Sequence, residues 1–214
     1  EQPIKKKVAS ITVRKVIWTC FMCKTPNELG SVHHNPPLEV IVHSELDIHH
    51  RAAEELSEQF PNKSGDASIA VYFNEGGVEL RNAAKPKHKG YKVDFLSIDR
   101  RTGAGNLSRK QPLPKAIGQS TKSVLDVTAG FCSDAFRLSM MGYKVTAIER
   151  SPVIATLVED GVRRAKEDSE FWEAYGANFC FERGDILEGY VPEPHEVVYL
   201  DPMFPPKPKK SALP

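Results

Sequence analysis

The spacing of hydrophobic and polar positions changes along the chain. Up to about Asp99, apolar side chains mark short strands between turns, at Ser10–Trp18, Leu38–His43, Ser68–Phe73 and Tyr91–Ile98. Alternation is clearest in "ASIAVYF", where Asn74-Glu75-Gly76-Gly77 then turns the chain into "VELRN", a hairpin pattern. One stretch, His49 to Phe60, has helical spacing, with Ala52, Ala53, Leu56 and Phe60 in register. Arg100 to Lys115 is polar and broken by Gly103, Gly105, Pro112 and Pro114, so it reads as a linker or exposed loop. After Ser120 strands and helices alternate. "SVLDVTAG", "YKVTAIER", "ANFCFERGDIL" and "EVVYL" are strands. "SDAFRLSMMG" and "SPVIATLVEDGVRRAKED" are helices, the second with Ser151 as N-cap and Pro152 in the first helical position. This alternation predicts an α/β, Rossmann-like domain: a parallel sheet with helices on both faces.

The expected organisation is an N-terminal β-rich α+β domain over residues 1–99, of which 1–37 are unassigned, a basic linker over 100–115 and an α/β domain over 116–214. The α/β pattern stops after its fourth strand, which is then expected to lie at an exposed edge of a truncated sheet. The first residue is Glu rather than Met, and the start of the sequence is expected to be incomplete.

Charge sharpens the division. Ten Lys/Arg face only Asp94 and Asp99 between Arg81 and Lys115, whereas Ala116 to Leu200 holds eight basic and fourteen acidic residues. A basic stretch beside an acidic domain fits a phosphate-rich partner, with a solvated connector as the plain alternative. No apolar run is long enough to span a membrane, and the polar, basic start shows no signal peptide, so a cytoplasmic protein is expected. Cys20 and Cys23 have metal-site spacing without a second pair, Cys132 and Cys180 lie far apart, and His33-His34 sits in a proline-containing loop. No metal site is expected, and the thiols read as reduced.

Ligands of a parallel α/β sheet bind beyond the carboxyl ends of its strands. Here those ends carry acids: Asp126, Glu149, Asp185 and Asp201. A lone acid at a strand end can be a helix cap; four in succession point to a site. Glu149 follows Asp126 by 23 residues, a spacing at which an acid bonds ribose hydroxyls and which by itself fits a nicotinamide enzyme. The first turn, Ala129-Gly130-Phe131-Cys132-Ser133-Asp134, is not the dinucleotide fingerprint, and it sets Asp134 where a pyrophosphate would approach. An acid there suits a cofactor with positive charge and an amino group, such as S-adenosylmethionine, whose adenine amine Asp185 is placed to receive.

"VLDVTAGFCSDAF", "VTAIERSPVIATLVEDGV" and "VVYLDPMFPPKPKKSAL", with "ELRNAAKPKHKGYKVDF" and "LPKAIG", resemble the bacterial RsmJ family over about residues 40–214. The resemblance implies an S-adenosylmethionine-dependent methyltransferase acting on the exocyclic N2 of a guanine in small-subunit ribosomal RNA. It places cofactor contacts on Ser133, Asp134, Glu149, Arg150, Asp185, Ile186 and Asp201, beside the Asp126 to Gly130 strand end. Two departures stand out. Cys132 and Ser133 replace the second Gly and the Arg of the family's Gly-x-Gly-Arg-Asp turn, and cysteine tolerates positive φ poorly. Asp185-Ile186 stands where the family prefers small hydroxyl residues. The resemblance also implies strands beyond Pro214, without which weak or no activity is expected.

Asp201-Pro-Met-Phe204 resembles the Asp/Asn-Pro-Pro-Tyr/Phe signature of enzymes that methylate exocyclic amines of bases. The amine lone pair is delocalised into the ring. A carboxylate and a carbonyl accepting its N–H bonds make the nitrogen more nucleophilic and aim it. Asp201, Pro202 and Phe204 are thus the expected catalytic residues, Phe204 as a ring for an extruded base. Arg100, Arg101, Arg109, Lys110, Lys207, Lys209 and Lys210 are the expected contacts to RNA phosphates. Adenine N6 and a protein glutamine remain alternative acceptors, and a non-catalytic fragment that binds cofactor or RNA is the reading from another class.

Overall fold

Two sheets organise the molecule, described by a computed structural model over residues 15–18, 40–44, 50–60, 69–102, 107–188 and 193–202. The smaller has the order β2 (Val40–Ser44), β3 (Ile69–Asn74), β4 (Gly77–Asn82), with β2 parallel and β4 antiparallel to β3. The β3–β4 hairpin closes where the sequence places it. Asn74 Oδ1 accepts from the Gly76 N–H at 2.9 Å, and Gly77 takes φ +109°. Helix α1 (His50–Glu58) packs on this sheet through Ala53 and Leu56, both buried beside Val40, Val71 and Phe73.

The larger sheet runs β1 (Lys15–Trp18), β8 (Val197–Leu200), β5 (Ser123–Asp126), β6 (Lys144–Glu149), β7 (Phe179–Arg183), and each pairing is parallel. The β1 pairing revises two expectations. Lys15–Trp18, grouped by sequence with the N-terminal β-rich unit, belong to the α/β sheet, and β8 is not an edge because Val16 and Ile17 register against Val198 and Tyr199. Between strands lie α2 (Pro112–Ile117), α3 (Ser133–Met140), α4 (Pro152–Glu167) and α5 (Ser169–Phe171), the last leading into a π-helical turn at Trp172–Gly176. The crossovers through α3 and α4 step across the sheet in one direction. Right-handed connections therefore put these two helices on one face of the sheet.

The segment Tyr91–Ile98 is not a strand. Only Tyr91 pairs, by an isolated bridge to Leu80, and Phe95–Ser97 winds into a 3-10 turn capped by Asp94. The turn delivers Phe95 into the core, where it stacks on Phe136 of α3 at 4.2 Å between ring centroids. Phe136 in turn meets Phe179 of β7 edge-on at 5.0 Å, so one aromatic cluster joins the 3-10 turn, α3 and the larger sheet. Helix α4 forms a second joint. Buried Asp160 accepts from the Val78 N–H at 3.0 Å and pairs with Arg164 at 2.8 Å, and Arg164 also donates to the Val93 carbonyl. Gly161 makes the approach possible: a Cβ there would lie 2.7 Å from Val93 Cγ1.

The expected linker is in part structural. Leu107 and Ser108 are buried, and Ile117 of α2 is 1 % exposed. Arg109 donates to the Met141 carbonyl at the end of α3 (2.8 and 3.1 Å) and lies over the Tyr143 ring at 4.3 Å. Its guanidinium thus satisfies a helix-terminal carbonyl.

Candidate active site

Four peptide segments meet at the carboxyl end of the larger sheet. Asp126 ends β5, and its Oδ1 accepts from the Thr128 N–H at 3.0 Å. The turn then rises to Gly130, whose φ of +52° suits glycine, and no atom would lie within 4 Å of a Cβ placed there. Cys132 follows, also left-handed at φ 58° and fully buried. The structure thus gives this cysteine the conformation that disfavours it. Its N–H is bonded to the Ala129 carbonyl at 2.8 Å, which closes the turn around it. Burial, then Asp126 and Glu149, push its thiol well above the ordinary range, so it packs as a neutral group. Helix α3 starts at exposed Ser133, with Asp134 in its first turn.

Glu149, at the end of β6, ties this turn to the next helix. Its Oε2 accepts from the Gly130 N–H at 2.9 Å and its Oε1 from the Ser151 N–H at 2.6 Å. Ser151 caps α4 through the Ile154 N–H, as its sequence position predicts. Beyond β7, Asp185 is paired with Arg150 at 3.4 Å and accepts from the Leu187 N–H at 2.8 Å. Ile186 is 37 % exposed and Leu187 is 80 % exposed, an apolar lip beside the polar strand ends. At the end of β8, the Asp201 N–H donates to Thr128 Oγ1 at 2.8 Å, which fixes the last strand to the first turn.

Two residues that the sequence pattern did not single out complete the site. Thr128 holds Asp201, and buried Tyr199 brings its hydroxyl within 3.2 Å of Asp134 Oδ2 and 3.5 Å of Asp201 Oδ2. The sequence marks them only by position, each two residues from a site acid, Asp126 for Thr128 and Asp201 for Tyr199. The acids also act on one another. Burial pushes the Asp126 carboxyl up to about 7, the Thr128 N–H opposes the rise, and the charges of Asp134, Asp201 and Glu149 add to it.

Thus Asp126, Gly130, Asp134, Glu149 and Asp201 come together, Ser133 opens α3 beside them, and Arg150, Asp185 and Ile186 form a second group at the ends of β6 and β7. Pro202 follows Asp201, half-buried. Phe204, Lys207, Lys209 and Lys210 lie outside the described residues, as do Cys20, Cys23, His33 and His34. The expected RNA contacts separate. Arg109 is spent on Met141 and Tyr143. Arg101 is bound to Asp99 at 2.6 Å, with the Asp99 carboxyl held down to about 2 by that bond. Arg100 lies 5.9 Å from the Phe171 ring, and Lys110 is exposed. Among the described residues, no group of His, Cys, Asp and Glu could hold a metal ion.

The donor set suits a cationic nucleoside cofactor. Carboxylates offer hydrogen-bond acceptors and negative potential, and the Cβ side of Gly130 faces open space where a ligand can approach the backbone. The comparisons agree. Residues 55–214 match a family model described as "Putative SAM-dependent methyltransferase". The chain is 40% identical over 162 residues to ribosomal RNA small subunit methyltransferase J of Shewanella piezotolerans, covering 70% of this chain and 59% of that one. It is 38% identical over 170 residues to the Aeromonas salmonicida protein of the same name (75% and 66% covered) and 37% identical over 173 residues to that of Tolumonas auensis (75% and 67%). The chain therefore spans 59–67% of the length of these curated relatives. Among solved structures it is similar to a SAM-dependent methyltransferase from Neisseria gonorrhoeae, with a TM-score of 0.55, 26% identity, and 77% of this chain and 70% of that one covered. An acid-lined sheet end, a family model over most of the chain and relatives of one name lead to one conclusion: the chain belongs to the family of SAM-dependent methyltransferases that includes ribosomal RNA small subunit methyltransferase J.

Proposed function

We propose that this chain forms the cofactor-binding and methyl-transferring part of an enzyme that methylates the exocyclic N2 of a guanine in small-subunit ribosomal RNA, in the cytoplasm. The observation that carries the reading is the fixed position of Asp201 at the end of β8, tied to the cofactor turn through Thr128. S-adenosylmethionine supplies a methyl group on a positively charged sulfur. The residues of this chain supply the rest. Glu149 holds the Gly130 turn and the start of α4 in place, Asp126 bonds the Thr128 N–H beneath the turn, and the carboxylates of Asp134 and Asp201 give the strand ends the negative potential that a cation requires. Asp201, exposed at the site, accepts a hydrogen bond from the guanine amine, fixes its direction and passes the released proton towards water. The Tyr199 hydroxyl steadies the carboxylate for that role, and Pro202 restricts the backbone beyond it. Residues 107–202 and β1 serve as the cofactor-binding unit, and the smaller sheet and α1 as its N-terminal partner. No helix among the described residues is long and apolar enough to cross a membrane.

The test is methyl transfer to small-subunit RNA, DNA and protein, followed by nucleoside analysis of the product. N2-methylguanosine is expected. Label in N6-methyladenosine or in glutamine would select one of the other acceptors. Asp201→Ala should lower the single-turnover rate at saturating cofactor by orders of magnitude and lower cofactor affinity far less, since the amine contact acts at the transition state. A full rate in that variant would remove Asp201 from the chemistry.

A further inference from the structure

The cofactor turn carries an aromatic pair that the chemistry above does not use. Tyr91 lies against Phe131, the residue between Gly130 and Cys132, with ring centroids 4.5 Å apart and planes tilted by 47°. Tyr91 is nonetheless 47% exposed, one of few large hydrophobic side chains so open among the described residues. Its backbone is rigid: its N–H and carbonyl both bond Leu80 of β4, each at 2.8 Å. No hydrogen bond to its hydroxyl is found among the described residues. An exposed ring is thus held still at the rim of the methyl-donor site, with one side on Phe131 and the other towards solvent.

The segment leading to it is basic. Lys85, Lys87, His88 and Lys89 are exposed, and backbone bonds from Lys85 to Asn82 (3.0 Å) and from His88 to Lys85 (3.1 Å) coil it into successive turns. Among the described residues no carboxylate pairs with Lys85, Lys87 or Lys89. The nearby acid, Glu79, is taken by Arg81 at 2.8 Å, and Lys92 donates to the Gly76 carbonyl. The positive charge beside Tyr91 is therefore uncompensated, in contrast to Arg101 and Arg109.

We propose that Tyr91 is a stacking platform for a base of an unpaired RNA segment whose phosphates pass over Lys85, Lys87 and Lys89, which leads the strand to the methyl-donor site. This rests on the RNA substrate proposed above. An aromatic face beside unpaired cations is the usual chemistry of single-strand binding: every base has a π-face, and each lysine displaces counterions from one phosphate.

The test uses the whole chain and a short unpaired oligoribonucleotide with 2-aminopurine in place of one guanine. Binding should quench the fluorophore by stacking. Tyr91→Ala should lose the quench and weaken binding by roughly five- to a hundredfold, and Tyr91→Phe should keep both. Replacing Lys85, Lys87 and Lys89 with Ser should flatten the log–log salt slope by about 0.7 for each phosphate no longer neutralised, roughly two in all, and leave affinity for S-adenosylhomocysteine unchanged by calorimetry. Parent-like binding by the Tyr91→Ala and lysine variants would overturn the assignment. So would a Tyr91→Ala variant that loses cofactor affinity and keeps RNA affinity, which would place the aromatic pair in the cofactor pocket. A parent chain that binds no RNA fails before any substitution is made, and that result removes the substrate reading together with this one.

Discussion

Asp126 holds a carboxyl that titrates near neutrality inside the protein. An unfolded aspartate titrates near about 3.9, whereas burial raises this one to about 7. Between those values the folded chain keeps a proton that the unfolded chain has lost. The contribution to stability is full below about pH 4 and is lost as pH rises through about 7. Asp126→Asn removes this dependence and keeps an acceptor for the Thr128 N–H. Thermal unfolding of the ligand-free chain should therefore fall more steeply for the parent than for the variant between about pH 5 and about pH 7.5, and the variant should be more stable at the upper end, by an amount on the order of a few kcal/mol. Parallel profiles would show that the carboxyl ionises freely. At this scale the acids were legible in the sequence because Asp126, Glu149 and Asp201 close apolar strands and Asp185 stands two residues past the end of another. Thr128 and Tyr199 were not, because each looks like an ordinary strand or turn residue until the fold sets it against Asp201. Arg109 misled for the opposite reason: a basic residue in a polar, proline-containing stretch resembles a free cation, and only the fold shows the helix end it serves.

Helix α4 joins the two sheets, and its polar joint is Asp160. Burial works against ionisation there, but the Val78 N–H, Arg164 and Arg163 prevail and hold the carboxyl below its ordinary range. Asp160→Ala leaves a buried N–H unsatisfied and Arg164 without its close partner, a loss of about 3–5 kcal/mol. Chemical denaturation should show that drop, and Asp160→Asn, which still accepts from Val78, should lose less. Equal loss in the two variants would assign the effect to charge alone. Elements with a strong local signal matched their sequence pattern: Ser151-Pro152 opens α4, and the Asn-Glu-Gly-Gly turn closes the β3–β4 hairpin. Tyr91–Ile98 did not. Its alternation is that of a strand, but Asp94 captures the Leu96 N–H at 3.2 Å and Phe95 is drawn into the aromatic cluster, and these tertiary demands outweigh the period.

At the scale of the whole molecule, the sequence suggested two units in succession, and the structure inserts one into the other. The smaller sheet lies between β1 and β5 of the larger. Periodicity cannot show this, because Lys15–Trp18 carries no mark of its partner, and a parallel pairing leaves no turn to announce it. The pairing matters for solubility. A chain without residues 1–18 would present the free ladder of β8, an open template for other strands. It should melt at a lower temperature than the parent and associate with rising concentration, as read by light scattering. An unchanged midpoint with a monodisperse solution would show that the ladder contributes little.

The same pairing sets an order of events. Lys15 registers with Val197 across most of the chain, whereas Asn74 registers with Gly77 across a turn. Short closures are reached early and long ones late, since chain entropy must be surrendered before a distant contact can form. The hairpin of the smaller sheet can therefore fold while the larger sheet is still open. Of the described strands, β1 leaves synthesis earliest and should find its neighbour latest, and the ladder that closes beside Asp201 should be the slow one.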